Sequence, residues 1–191
     1  PSDTAGARDG TLDRVAFGDP ASEKAHGFHG ADTEAVTGAH GLPARVARPP
    51  AEPGTLLGEL RFTMKADPVR QNFLTLKLWG EDDSTYKTVL LVDGEQANYH
   101  DHGDYEAVSS GSLSGHTPTG PLPGRFSFAT AMLPLVSTQG RELVEITVRT
   151  SHQNLGKEAT ETSRGYYSAT VHTAPLLDPG KDELPPYEKS T

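Results

Sequence analysis

Cysteine is absent from the 191-residue chain, which excludes disulfides, thiol catalysis and cysteine-ligated metals. The compartment stays open, because many exported bacterial proteins do without disulfides. No apolar run approaches the roughly 20 residues that a membrane-spanning helix needs, so the sequence reads as a soluble chain. Positive charge is scarce: 17 basic residues stand against 26 acidic ones, a formal charge of -9. That balance argues against nucleic acid or an anionic membrane as a general partner. Only 34% of the chain is hydrophobic, while glycine reaches 20 and proline 15. Many turns and one modest core are the expectation. No G-x-S-x-G elbow occurs among the serines, and the EF-hand loop pattern is missing too. The chain opens on Pro1 without an initiator Met, which predicts a processed or excised product.

What is present is strand pattern. The densest apolar run, Gln71 to Trp79, holds the one tryptophan and alternates strictly. Leu74, Leu76 and Leu78 point one way; Phe73, Thr75, Lys77 and Trp79 point the other. A period of two belongs to a half-buried strand, since a helix would space its apolar residues by three and four. Thr88 to Val92 forms a second run, bounded by Asp93-Gly94, a hairpin-turn pair. The expectation is a central β-hairpin joining these two strands, with Trp79 at its mouth.

Further alternation marks Leu60, Phe62 and Met64, then Phe126 and Phe128, then Val144, Ile146 and Val148, and finally Gly165–His172. Pro134 makes the segment after Phe128 an edge, and Gln139-Gly140 turns the chain. Seven or so short strands with turn signals and no convincing amphipathic helix predict an all-β, antiparallel β-sandwich of jelly-roll or galactose-binding-like type. Residues 1–54 read as an irregular N-terminal extension whose short strands pack on the core. Residues 55–173 form the sandwich, and 174–191 a Pro-rich tail or linker.

Three groups of residues could carry chemistry. Glu81, Asp82 and Asp83 at the hairpin mouth offer the paired carboxylates that glycoside hydrolysis requires, although acidic loops are commonly just solvated. Tyr99 to Glu106 is the best metal candidate: Asp101, Asp104 and Glu106 supply alternating oxygen ligands that suit calcium ahead of zinc. No other cofactor is indicated. Aromatics near acids and Arg164, namely Trp79, Tyr99, Tyr105, Tyr166 and Tyr167, suggest a sugar site, with Trp79, Asp82, Asp83, Tyr99, Tyr105, Arg164 and Tyr166 as its candidate residues. There a ring face stacks on C–H groups while planar polar side chains bond hydroxyls. The plainer reading is that Trp79 and Tyr167 cap the core, with Tyr167 facing inward beside Ala169 and Val171; Tyr166, on the opposite face, fits either role.

The run Gln71-Asn72-Phe73-Leu74-Thr75-Leu76-Lys77-Leu78-Trp79-Gly80, followed by Leu90-Leu91-Val92-Asp93-Gly94-Glu95 and later Val144-Glu145-Ile146-Thr147-Val148-Arg149, carries a resemblance. It resembles small β-sandwich domains attached to bacterial β-L-arabinofuranosidase-type glycoside hydrolases. Ser22-Glu23-Lys24-Ala25-His26 and Ser163-Arg164-Gly165-Tyr166-Tyr167 are similar to segments of uncharacterised secreted actinobacterial proteins. The resemblance implies an accessory sandwich, export from a bacterial cell, and a partner domain or chain. It transfers no catalytic residue, because that family's catalytic centre sits in a separate helical barrel with a cysteine-ligated zinc.

Three readings of function therefore stand. The first is a non-catalytic accessory sandwich of an exported bacterial protein, carbohydrate-contacting and associated with a glycoside hydrolase. The second is a structural or protein-interaction module docking on another chain or domain. The third is a small glycan-active enzyme using the acidic hairpin mouth.

Overall fold

A computed structural model describes residues 10–52, 54–79, 86–101, 126–152 and 158–177. The described strands are β1 (Thr11–Ala16), β2 (His29–Ala31), β3 (Thr33–Thr37), β4 (Pro43–Ala47), β5 (Leu56–Lys65), β6 (Phe73–Trp79), β7 (Tyr86–Val92), β8 (Glu95–Asp101), β9 (Phe126–Met132), β10 (Leu143–His152) and β11 (Tyr166–His172). Two short helices join them, α1 (Pro20–Ala25) and α2 (Leu135–Thr138). The strands form two antiparallel sheets. One runs β3-β4-β11-β6-β9, with β1 also on β11; the other runs β2-β5-β10-β7-β8. This is the expected β-sandwich.

Alternation built the core as its period dictates. Leu74, Leu76 and Leu78 from the first sheet face Leu60, Phe62, Met64, Val144, Ile146 and Val148 from the second, all within 1% of full burial. Each such side chain contributes roughly 1.5–3 kcal/mol through its removal from water. Gly58 marks the one point on β5 where a side chain is forbidden. An added Cβ there would meet the backbone of Ala31 and Asp32, and pairing with β10 shifts register beside it.

The expected central hairpin does not form. β6 pairs with β11 and β9, whereas β7 pairs with β10 and β8, so the two leucine-rich strands lie in different sheets. Each has one strongly apolar face, and opposing those faces across the sandwich buries both at once. The Asp93-Gly94 pair does make a hairpin, between β7 and β8, with φ of 50° and 83°. Both central residues at positive φ match the strand twist, which is why Asp-Gly is favoured there. Pro134 ends β9, an edge strand, and precedes α2.

Residues 10–47 are more regular than an irregular extension. β1 and β4 bond to β11, β2 bonds to β5, and Val15, Phe17, Ala44 and Ala47 are fully buried. Asp19 caps α1 by accepting from the N–H groups of Ala21 and Ser22 at 2.9 and 3.3 Å, with Pro20 at the first helical position. Glu23, the buried acid of α1, accepts two bonds from Arg45 of β4 at 2.6 and 2.8 Å and one from the Gly18 N–H at 2.7 Å. That forked pair fastens the helix to β4.

Candidate functional site

The outer face of the first sheet ends in an aromatic corner. Trp79, at the end of β6, lies in register with Phe126 of β9, and their rings meet edge to face at 5.1 Å. Phe126 in turn meets Tyr167 of β11 edge to face at 5.0 Å. His40 packs edge-on against Trp79 at 5.1 Å, from a 3-10 turn (Ala39–Gly41) in which its own φ is 54°. The Lys77 ammonium sits 4.2 Å from the Phe126 ring centroid, a cation placed over the negative face of the ring. Three strands and a turn supply these groups, with Trp79 and Lys77 both on β6, so only the assembled sheet brings them together.

Tyr167 links this corner to a cleft of about 560 Å³. One wall is Val36, Gly38, Ala39, Ala44 and Val46 from β3, β4 and their connection; the other is Glu161 to Gly165; Tyr167 lines the cleft where they meet. The tyrosine hydroxyl accepts the Ala39 N–H at 2.7 Å, which locks the ring to the first wall. Ser163 fixes the second wall: its N–H donates to the Ala47 carbonyl, its hydroxyl accepts the Ala47 N–H, both at 2.9 Å, and that hydroxyl donates to the Arg164 carbonyl. The cleft is therefore held by backbone on both sides, with Arg164 and Glu161 adding charge of both signs. A guanidinium, a carboxylate and a ring edge within one cavity can recognise a neutral polyol through hydroxyl hydrogen bonds and C–H contact.

The candidate sugar residues divide sharply. Trp79 and Arg164 stand at the same end of the sandwich, on the corner and in the cleft. Tyr166 does not join them. Its ring is in the core at 2% exposure, and its hydroxyl bonds Thr88 and Thr150 at 3.0 and 2.9 Å. The cause is a register shift between Tyr166 and Ser168 opposite β6, which puts Tyr166 on the inner face with Ala169 and Val171 and leaves Tyr167 outside. Burial pushes the Tyr166 phenol above its usual range, against the opposing effect of the two threonine bonds. Tyr99 and Asp101 belong to β8, the edge strand of the other sheet, paired with Val89 and Lys87. Asp82, Asp83, Tyr105, Asp104 and Glu106 lie outside the described residues. Among the described residues no group of three or more potential ligands gathers for a metal.

The site contains residues that sequence reasoning passed over: His40, Phe126, Gly38 and Glu161. Gly38 has a visible reason to be glycine, because a Cβ there would run into the Tyr167 phenol. The His40-Gly41 pair, both at positive φ, was the one local signal of a tight turn.

Comparison with solved structures finds distant similarity only. An exo-β-1,3-galactanase from Phanerochaete chrysosporium matches 84% of this chain at 13% identity and a TM-score of 0.47. A family 35 carbohydrate-binding module from Clostridium thermocellum matches 85% at 12% identity and a TM-score of 0.43, and another from an environmental isolate matches 92% at 10% identity and 0.46. This chain spans 29% of the galactanase chain but 99% and 98% of the two modules. No protein-family model matches the sequence, and no curated protein does. Similarity at this level assigns neither family nor ligand.

Proposed function

We propose that this chain is a non-catalytic β-sandwich module that contacts carbohydrate in the cleft beside Tyr167, serving as an accessory part of an exported bacterial protein associated with a glycoside hydrolase. The observation that supports the reading is the backbone-fixed cleft itself: about 560 Å³, edged by an aromatic file and containing both Arg164 and Glu161. A sugar ring needs an apolar surface for its C–H face and a few fixed polar groups for its hydroxyls. The cleft offers both. An open site leaves its ligand partly hydrated, so affinity in the micromolar to millimolar range is expected, roughly -4 to -8 kcal/mol.

Affinity electrophoresis against a panel of neutral and acidic polysaccharides, with a glycan array, tests the reading. Glu161→Gln, at an exposed position, should lose retention while the urea midpoint moves little; Arg164→Gln, at a buried one (8% exposure), should lose retention beyond what its loss of stability explains. No retention on any glycan would overturn the proposal. Retention that survives both substitutions would move the site away from the cleft. The protein-interaction reading draws on a different observation, the apolar surface at the opposite end of the sandwich.

A further inference from the structure

Among the described residues the exposed large apolar side chains, Leu42 beside the aromatic corner excepted, gather at one end. Val69, Met132, Leu135, Val136, Leu143 and Leu176 are all there, with Val136 at 84%, Leu176 at 80% and Val69 at 78% exposure. Strand register defines that end: Phe73 opposes both Met132 and His172, while Leu143 opposes Lys65, and the chain passes from β5 to β6 between them. The aromatic corner and cleft lie at the other end of β6. A surface this apolar in one place is the mark of an interaction site rather than scattered exposure.

The apolar groups are held out by a stiff frame. The Asp67 carboxylate accepts the N–H groups of Val69 and Arg70 at 2.9 and 2.8 Å, and those bonds hold it below the ordinary carboxylate range. Asn72, fully buried, bonds the Asp67 carbonyl and the Thr138 hydroxyl, and the Gly140 N–H donates to Pro68. Beside this frame runs a groove of about 520 Å³ lined by Leu12, Ala66, Pro68 and Leu143 and edged by Lys65 and Asp67.

The described chain also enters and leaves at this end. The Thr173 N–H donates to the Gly10 carbonyl at 3.2 Å. Beyond Leu177 the sequence continues through residues 178–191, which contain Leu184-Pro185-Pro186-Tyr187. In polyproline II, the conformation that Pro-Pro sequences favour, side chains three residues apart fall on one edge about 9 Å from each other. The stretch from Leu177 to Leu184 reaches roughly 20 Å when extended, about the width of four strands. Residues 1–9, which precede Gly10 in the sequence, carry only small or polar side chains, apart from Pro1.

We propose that Leu184 to Tyr187 docks in cis on this apolar end, with Leu184 and Tyr187 seated in the groove against Leu12 and Leu143. The tether holds the segment at high effective concentration, so modest contact area suffices. The proposal concerns the end opposite the cleft and does not depend on carbohydrate binding.

Nuclear Overhauser contacts in the isotope-labelled full chain provide the test. Tyr187 ring protons should contact the methyl groups of Leu12 and Leu143, with intensities unchanged on dilution. The full-chain variant Leu184→Ser/Tyr187→Ser should lose these contacts, shift the Leu143 and Lys65 amides, and bind more anilinonaphthalene sulfonate. Absence of contacts from Tyr187 in the unsubstituted chain would overturn the proposal. So would contacts that fade on dilution as the measured mass falls, because a second copy would then be the occupant.

Discussion

Tyr166 stands in register with Leu78 on the neighbouring strand, and its hydroxyl crosses the sandwich to Thr88 and Thr150 of the opposite sheet. A single ring therefore spans the core, and two hydroxyls give its buried phenol the hydrogen-bond partners it needs. Tyr166→Phe keeps the ring and removes the bridge, leaving two buried threonine hydroxyls to find new partners. The expected loss is about 1–3 kcal/mol in urea denaturation. Glycan retention should not change, since the ring never reaches the cleft.

The same residue sets an alkaline limit. Burial raises the folded-state pKa of Tyr166 above the ordinary value of 10.0. A raised folded pKa means that the unfolded chain releases its proton first as pH climbs. The stability contribution is whole below about pH 10 and declines above it, as ionisation draws the chain toward the unfolded state. Ultraviolet phenolate titration should show one tyrosine ionising together with loss of structure. Tyr166→Phe should remove that late step; a titration with every tyrosine ionising before unfolding would refute the account.

Leu76 and Thr75 are neighbours on opposite faces, and both are buried at 1% exposure. Leu76→Ala should cost about 2–5 kcal/mol, as buried leucine truncations do. Thr75→Ala should cost less, about 1–3 kcal/mol, but more than an exposed threonine would. Its hydroxyl meets the Thr130 hydroxyl and His172 Nε2, each at 2.7 Å, while His172 Nδ1 donates to the Ala174 carbonyl at 2.7 Å. Equal effects in paired urea titrations would contradict the division of faces.

Gly38 sets the shape of the cleft. Gly38→Ala would press its Cβ against the Tyr167 phenol and displace either the ring or the turn that carries Ala39. The overpacking should cost about 1–3 kcal/mol. Glycan retention should fall further than that loss explains, because unfolding of a small fraction of the chain barely changes the amount of folded protein. A variant with unchanged retention would show that Tyr167 does not line the binding surface.

The sequence by itself determined where most strands run and which of their faces are apolar. Alternation in Leu74–Leu78, Leu60–Met64 and Val144–Val148 needs no partner to be read, since a strand's side chains alternate whatever lies beside it. Asp93-Gly94 likewise announced the β7–β8 turn through backbone preference alone. Tertiary structure decided which strands pair. β6 and β7 follow one another in the chain yet occupy different sheets, because two apolar faces bury more surface opposed across a core than side by side. It also decided the site. Parity counts correctly only between bulges, so the shift beside Tyr167 exchanged the roles of two adjacent tyrosines. No local pattern could place Trp79, Phe126, His40 and Arg164 at one end of the sandwich, because they meet only through pairings between residues far apart in the chain.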